Sequence, residues 1–143
     1  MLTLKQLLDR KGHAVISIGP DEPVLEAVRC MADRHVGALL VRDGTGNLAG
    51  IVSERDYARK VVLQGRSSAD TPVRAIMTAN VISITLEASV HDAMRVMTEK
   101  RIRHLPVMSG ERLEGVVSIG DLVKAVIEEQ QAEIDTLQAY IHG

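Results

Sequence analysis

The chain has 143 residues, 45% of them apolar, with 17 basic and 19 acidic side chains and a net charge of -2. One domain's worth of such residues buries a core without staples, a single cysteine cannot build a disulfide scaffold, and no apolar run approaches the roughly 20 residues of a membrane span. With no Phe or Trp and only Tyr57 and Tyr140, bases have little to stack upon, so nucleic acid is disfavoured as a partner. Residues 1–11 alternate charge with leucine and lack the apolar stretch of a secretory signal; the expected setting is cytoplasmic, away from membranes.

In chain order, Thr3 and Gln6 form a capping box for a helix whose Leu4, Leu7 and Leu8 share one face and which stops at Gly12. Val15 to Ile18 reads as a short strand. Pro20-Asp21-Glu22-Pro23 then supplies turn and cap chemistry ahead of a helix carrying Val24, Ala27, Val28 and Met31 at helical spacing. Ala38 to Val41 and Leu48 to Val52 are strands around the turn Asp43-Gly44-Thr45-Gly46, and Ser53 sits where the strand gives way to a helix opened by Asp56, as Ser118 does before Asp121. Residues 64–71 are polar and read as a linker. Thr71-Pro72 looks like an N-cap followed by proline at the first helical position, leading into a short turn over residues 73–77.

The same order then recurs. Shifted by 66 positions, Val15-Ile16-Ser17-Ile18 lies on Val81-Ile82-Ser83-Ile84, Val24 on Val90, Ala27 on Ala93, Met31 on Met97 and Leu39 on Leu105. After a one-residue deletion, Gly50-Ile51-Val52-Ser53-Glu54-Arg55-Asp56 lies on Gly115-Val116-Val117-Ser118-Ile119-Gly120-Asp121. A helix over residues 122–141 closes the chain, with Val123, Ile127, Ile134, Leu137 and Ile141 near a 3-4 spacing broken by Gln130. The expected class is α/β of the α+β type. The expected layout is an N-terminal helix over 1–14, repeat one over 15–63, a linker with a short helix over 64–78, repeat two over 79–128, and a C-terminal helical extension over 129–143.

Arg103-His104-Leu105-Pro106-Val107 followed by Gly115 to Asp121, together with the earlier copy, resembles the cystathionine-β-synthase (CBS) domain family, and the pair resembles a Bateman module. The resemblance spans roughly residues 15–128 and implies tandem βαββα repeats related by a pseudo-twofold axis, with adenosine-type ligands in two clefts. Aspartate at a helix start accepts from two ribose hydroxyls, and serine reaches the sugar or phosphate. By resemblance, one cleft uses Ser53, Arg55 and Asp56 with Ile82, Ser83 and Ile84 for the base, and Arg103, His104 and Pro106 toward the phosphate. The other uses Ser118, Ile119, Gly120 and Asp121, walled by Ser17, Ile18, Gly37 and Ala38; since Gly37 and Ala38 offer no charge, it must borrow a cation, for which Arg55 is a candidate, or accept a less anionic group. AMP is the expected ligand, with NAD or ATP as alternatives. The resemblance also implies a homodimer, and signal output requires an effector protein outside the chain.

Plainer readings stand beside these. Asp56 and Asp121 can simply cap helices, Ser17 and Ser83 can be edge-strand residues, and Arg103 and His104 can be solvated charges. Cys30, beside Met31, reads as an apolar filler. The five histidines share no ligand spacing, so no metal site is expected. No nucleophile elbow, phosphate-cradling glycine loop or dinucleotide fingerprint is present, and the expected role is ligand binding without catalysis. An empty interaction module, or a nucleic-acid surface built on Arg34, Arg55, Arg59 and Arg66, are the alternatives. In the C-terminal helix, a coiled-coil-like seam competes with Ile134, Leu137 and Ile141 folding back on Leu4, Leu7 and Leu8.

Overall fold

The computed structural model describes residues 1–142. Its elements run α1 (Leu4–Lys11), β1 (Ser17–Ile18), α2 (Val24–Arg34), β2 (Ala38–Arg42), β3 (Leu48–Ser53), α3 (Glu54–Tyr57), β4 (Ile84–Thr85), α4 (Val90–Lys100), β5 (His104–Ser109), β6 (Arg112–Ser118) and α5 (Ile119–His142). A π-helical turn, Ala58–Val62, continues α3, and a 3-10 turn, Val73–Ala75, lies in the linker. Each repeat forms a three-stranded sheet, β1-β2-β3 or β4-β5-β6, with the first pair parallel and the second antiparallel.

The chain divides into two compact units, Val15–Val81 and Met1–Ala14 with Ile82–Gly143. The linker therefore folds with repeat one, and the N-terminal segment folds with repeat two. Both segments dock in the same way. Leu2 accepts from the Val90 amide at 2.9 Å, and the Leu4 and Lys5 amides donate to Ala88 and Leu86 at 2.9 and 3.0 Å. In the other unit Thr71 accepts from Val24 at 2.8 Å, and Val73 and Arg74 donate to Glu22 and Pro20 at 2.9 Å. The repeat-two core joins Leu4, Leu7 and Leu8 to Val90, Ala93, Met97, Leu105, Val107, Val117 and Leu122; the repeat-one core joins Val24, Ala27, Met31, Leu39, Val41, Val52 and Val61 to Val73 and Ile76. Burial of each such leucine or valine is worth about 1.5–3 kcal/mol, which holds both straps down.

Several local expectations are met and others corrected. Thr3 and Gln6 do form the capping box of α1, and Gly12 closes it at φ 107°. Pro23 occupies the cap position of α2 but has no side chain to accept with, whereas Ser89 and Asp92 build a full capping box for α4. Asp21 pairs with Arg74 instead of capping. Thr71 does not cap either: it is buried and its hydroxyl donates to the Ser67 carbonyl at 2.7 Å, leaving Pro72 in the cap position. The first strand of each repeat is shorter than expected. In repeat one Leu40 donates to the Ile16 carbonyl and Ser17 pairs with Leu40; in repeat two Pro106 stands at Leu40's place with no amide to give, and pairing starts one residue later, at Ile84 with Val107.

Cys30 is half-buried at the edge of the repeat-one core rather than within it. In α5 only Leu122 and Ala125 are buried. Leu4, Leu7 and Leu8 are covered by repeat two, and Ile134, Leu137 and Ile141 are exposed, so the fold-back on the N-terminal leucines does not occur.

Candidate functional site

The two Ser-x-x-Asp segments form where β3 meets α3 and where β6 meets α5. Ser53 is the N-cap of α3, and Asp56, third in the helix, answers it: the Asp56 amide donates to Ser53 Oγ at 3.2 Å while the Ser53 amide and hydroxyl donate to Asp56 Oδ2 at 2.9 and 3.1 Å. The second copy repeats the exchange, with the Asp121 amide donating to Ser118 Oγ at 3.1 Å and the Ser118 amide to Asp121 Oδ2 at 2.8 Å. The helices are thus opened by serine rather than by aspartate, and both aspartates take part in capping. This reciprocal bonding explains the fixed three-residue spacing without any ligand.

Each carboxylate also has a lysine. Lys60, one turn further along, reaches Asp56 Oδ1 at 3.1 Å and donates to the Ile76 carbonyl at 2.8 Å. Lys11, from the end of α1, reaches Asp121 Oδ2 at 2.7 Å and donates to the Val116 carbonyl at 2.7 Å. Burial pushes the Asp121 carboxyl up, but the Lys11 ammonium and the Ser118 amide outweigh it and hold the group below the usual carboxylate range. Beside Lys11, His13 bonds the Glu114 carbonyl at 2.9 Å and Asp9 Oδ1 at 3.0 Å, contacts that raise its pKa. The sequence reading named neither lysine; Lys60 had a signal there, its place four residues after Asp56. Lys11 had none, because 110 residues separate it from Asp121.

The segment entering the middle strand sits beside the Ser-x-x-Asp of its own repeat. Glu54 donates to the Gly37 carbonyl at 3.0 Å and Ala38 registers with Ser53; Ile119 donates to the Arg103 carbonyl at 2.8 Å and His104 registers with Ser118. Gly37, Ala38 and His104 are half-buried, Arg103 and Arg55 are exposed, and Pro106 is buried in β5. Ser17 lies in β1, with Ile18 packed against the repeat-one core; Ile82 and Ser83 are exposed just ahead of β4, and Ile84 packs against the repeat-two core. Ile119 is half-buried and Gly120 exposed at the start of α5. Among the described residues, no group of three or more His, Cys, Asp or Glu is placed to hold a metal ion, and no helix is long and apolar enough to cross a membrane.

The twin Ser-x-x-Asp turns, each on a βαββα repeat, are matched by the profile of the CBS domain over residues 4–63 and 73–128. The chain belongs to the CBS-domain family. Among curated CBS proteins, the mitochondrial CBS domain-containing protein CBSX3 of Arabidopsis thaliana is 48% identical over 149 residues, covering 99% of this chain and 72% of its own length. A solved CBS-domain structure from Burkholderia ambifaria, described as a candidate signal-transduction protein, is 49% identical with a TM-score of 0.86, covering 90% of this chain and 96% of its own. A hexameric CBS-CP12 protein from bloom-forming cyanobacteria is 27% identical with a TM-score of 0.75, covering 86% of this chain and 70% of its own. CBS pairs of this type are generally regulatory.

Proposed function

We propose that this CBS pair is a sensor of adenosine-containing nucleotides, AMP first and NAD or ATP after it, that passes ligand occupancy to an effector protein. The observation that carries the reading is the duplicated, half-buried carboxylate, fixed in position by its serine and paired with a cation. A fixed acceptor of this kind receives a ribose diol through charge-assisted hydrogen bonds. Arg103 supplies charge for a phosphate with His104 beside it, and the edge strands β1 and β4, with the exposed Ile82 and Ser83 ahead of β4, offer donors and acceptors for a base. Pro106 has no amide to offer the Ile82 carbonyl, which favours an outside donor such as an exocyclic amine there. Lys11 neutralises the Asp121 carboxylate itself, and Arg55 stays the candidate cation for the ligand group on the side walled by Gly37 and Ala38.

A homodimer is the proposed assembly; oligomeric CBS proteins such as the cyanobacterial hexamer make self-association a natural output. A second reading, an interaction module with no nucleotide, draws support from the satisfied state of Asp56 and Asp121, which have capping and lysine partners without any ligand. Equilibrium binding of labelled AMP and NAD to the wild type, Asp56→Ala and Asp121→Ala separates the two. Loss of a charged hydrogen-bond pair should weaken binding about tenfold or more in at least one variant. No binding to the wild type, or identical binding by all three, rejects the sensor.

A further inference from the structure

The outer half of α5 presents an apolar seam that no part of its own unit covers. Ile127 is 58% exposed, Ile134 46%, Leu137 62% and Ile141 75%, and with Val123 and Gln130 they follow one another at alternating intervals of four and three. This is the spacing of the a and d positions of a heptad, with Ile127, Ile134 and Ile141 at a and Val123, Gln130 and Leu137 at d. Residues 130–142 are exposed on every side. This stretch is held only through the end of α5 anchored by Leu122 and Ala125, and its apolar side chains gain no burial within their own unit. A partner along the seam would supply what the stretch lacks.

We infer that the partner is α5 of a second copy, lying parallel and in register as a two-stranded coiled coil. β-Branched residues at a with leucine at d favour two strands, and here isoleucine fills each a position and leucine one of the d positions, Leu137. That rule sets the number of strands, and Gln130 decides their orientation. In parallel register it meets Gln130 of the second copy, and two carboxamides satisfy one another as donor and acceptor. Antiparallel packing about the middle of the seam sets Gln130 against isoleucine and buries an unpaired amide twice, a costly arrangement. The flanking charges agree: Glu133, at g, faces the neutral Gln138 at e of the copy, so no like charges are opposed. Glu128, Glu129 and Asp135 lie at b and c, away from the seam, as does the contact of Thr136 with the Ala132 carbonyl at 2.9 Å.

This inference deepens the assembly part of the proposed function and requires no nucleotide. Its test is made on the full chain with Cys30→Ala as background, so that introduced thiols act alone. Under mild oxidation, Leu137→Cys should give a covalent species of twice 15.6 kDa on non-reducing electrophoresis, and Ala132→Cys, at f on the far face, should not. In a mixture, Leu137→Cys should join to itself in preference to Ile127→Cys, the pairing that antiparallel helices would favour. In sedimentation equilibrium, Ile134→Asp should weaken association with the circular dichroism of the folded chain retained. Absence of the Leu137→Cys link, equal linking by Ala132→Cys, or preference for Ile127→Cys overturns the inference. A dimer that persists in sedimentation without the Leu137→Cys link sinks the seam but leaves the proposed homodimer standing; a monomer at all concentrations sinks both.

Discussion

At the residue scale, the glycine that opens each Gly-apolar-apolar-Ser segment has a packing cause. A Cβ on Gly50 would stand 2.8 Å from Met77 Sδ and 2.8 Å from the Thr78 carbonyl oxygen, and one on Gly115 would stand 2.9 and 3.0 Å from the two methyls of Leu8. These glycines admit the straps. Leucine methyls can rotate away, but the Thr78 carbonyl is tied into a bridge with Ile51 and cannot. Gly50→Ala should therefore cost about 2–3 kcal/mol and Gly115→Ala about 1 kcal/mol, read as midpoints of urea unfolding; equal costs would reject the explanation. Lys11 gives a pH-dependent counterpart. The Asp121 carboxyl titrates lower in the fold than when unfolded, so its contribution is present above the ordinary aspartate value near 4 and is lost as pH falls through the lower folded value. Lys11→Met should cost about 1 kcal/mol at pH 7, after allowance for solvent screening, and the gap to wild type should close in acid, as pH falls through the lowered Asp121 value, in paired denaturation curves. A gap unchanged by acid would place Lys11's effect in packing instead.

At the element scale, α1 acts as part of repeat two although it precedes repeat one. Removing residues 1–12 should expose the repeat-two core and leave Val15–Val81 closed. Native-state hydrogen exchange should then show protection falling in β5 and β6 while β2 and β3 hold; an even loss across both sheets would contradict this assignment. The existence of α1 was legible from Thr3, Gln6 and Gly12, because capping is local chemistry. Its destination was not, because Leu4, Leu7 and Leu8 state only that one face must be buried. The same limit explains the cap of α2: Pro20 to Pro23 announces a turn, but which residue takes the cap position depends on Thr71 and Val73 docking from the linker. At β4, by contrast, Pro106 was visible from the start, and its missing amide accounts for the shift in pairing.

At the scale of the whole molecule, the duplication was the most legible feature, since identical residues in one register carry the fold twice. The repeated Ser-x-x-Asp turns were legible as strand-to-helix junctions, and the unequal segments Gly37-Ala38 and Arg103-His104 lie beside them, each in its own repeat. The lysines had a signal only where the partner lay one turn away. The interleaving of straps and repeats was invisible, because each strap fits either repeat by composition alone. That interleaving sets an order of synthesis. The unit of repeat one has all its parts once residue 81 has been made, whereas residues 1–14 must wait with their leucines uncovered until β6 and the start of α5 follow. At roughly 5–20 residues per second, that delay runs to about 5–20 s. Residues 1–14 are thus made before repeat one and buried after it, and through that interval Leu4, Leu7 and Leu8 stay open to a chaperone.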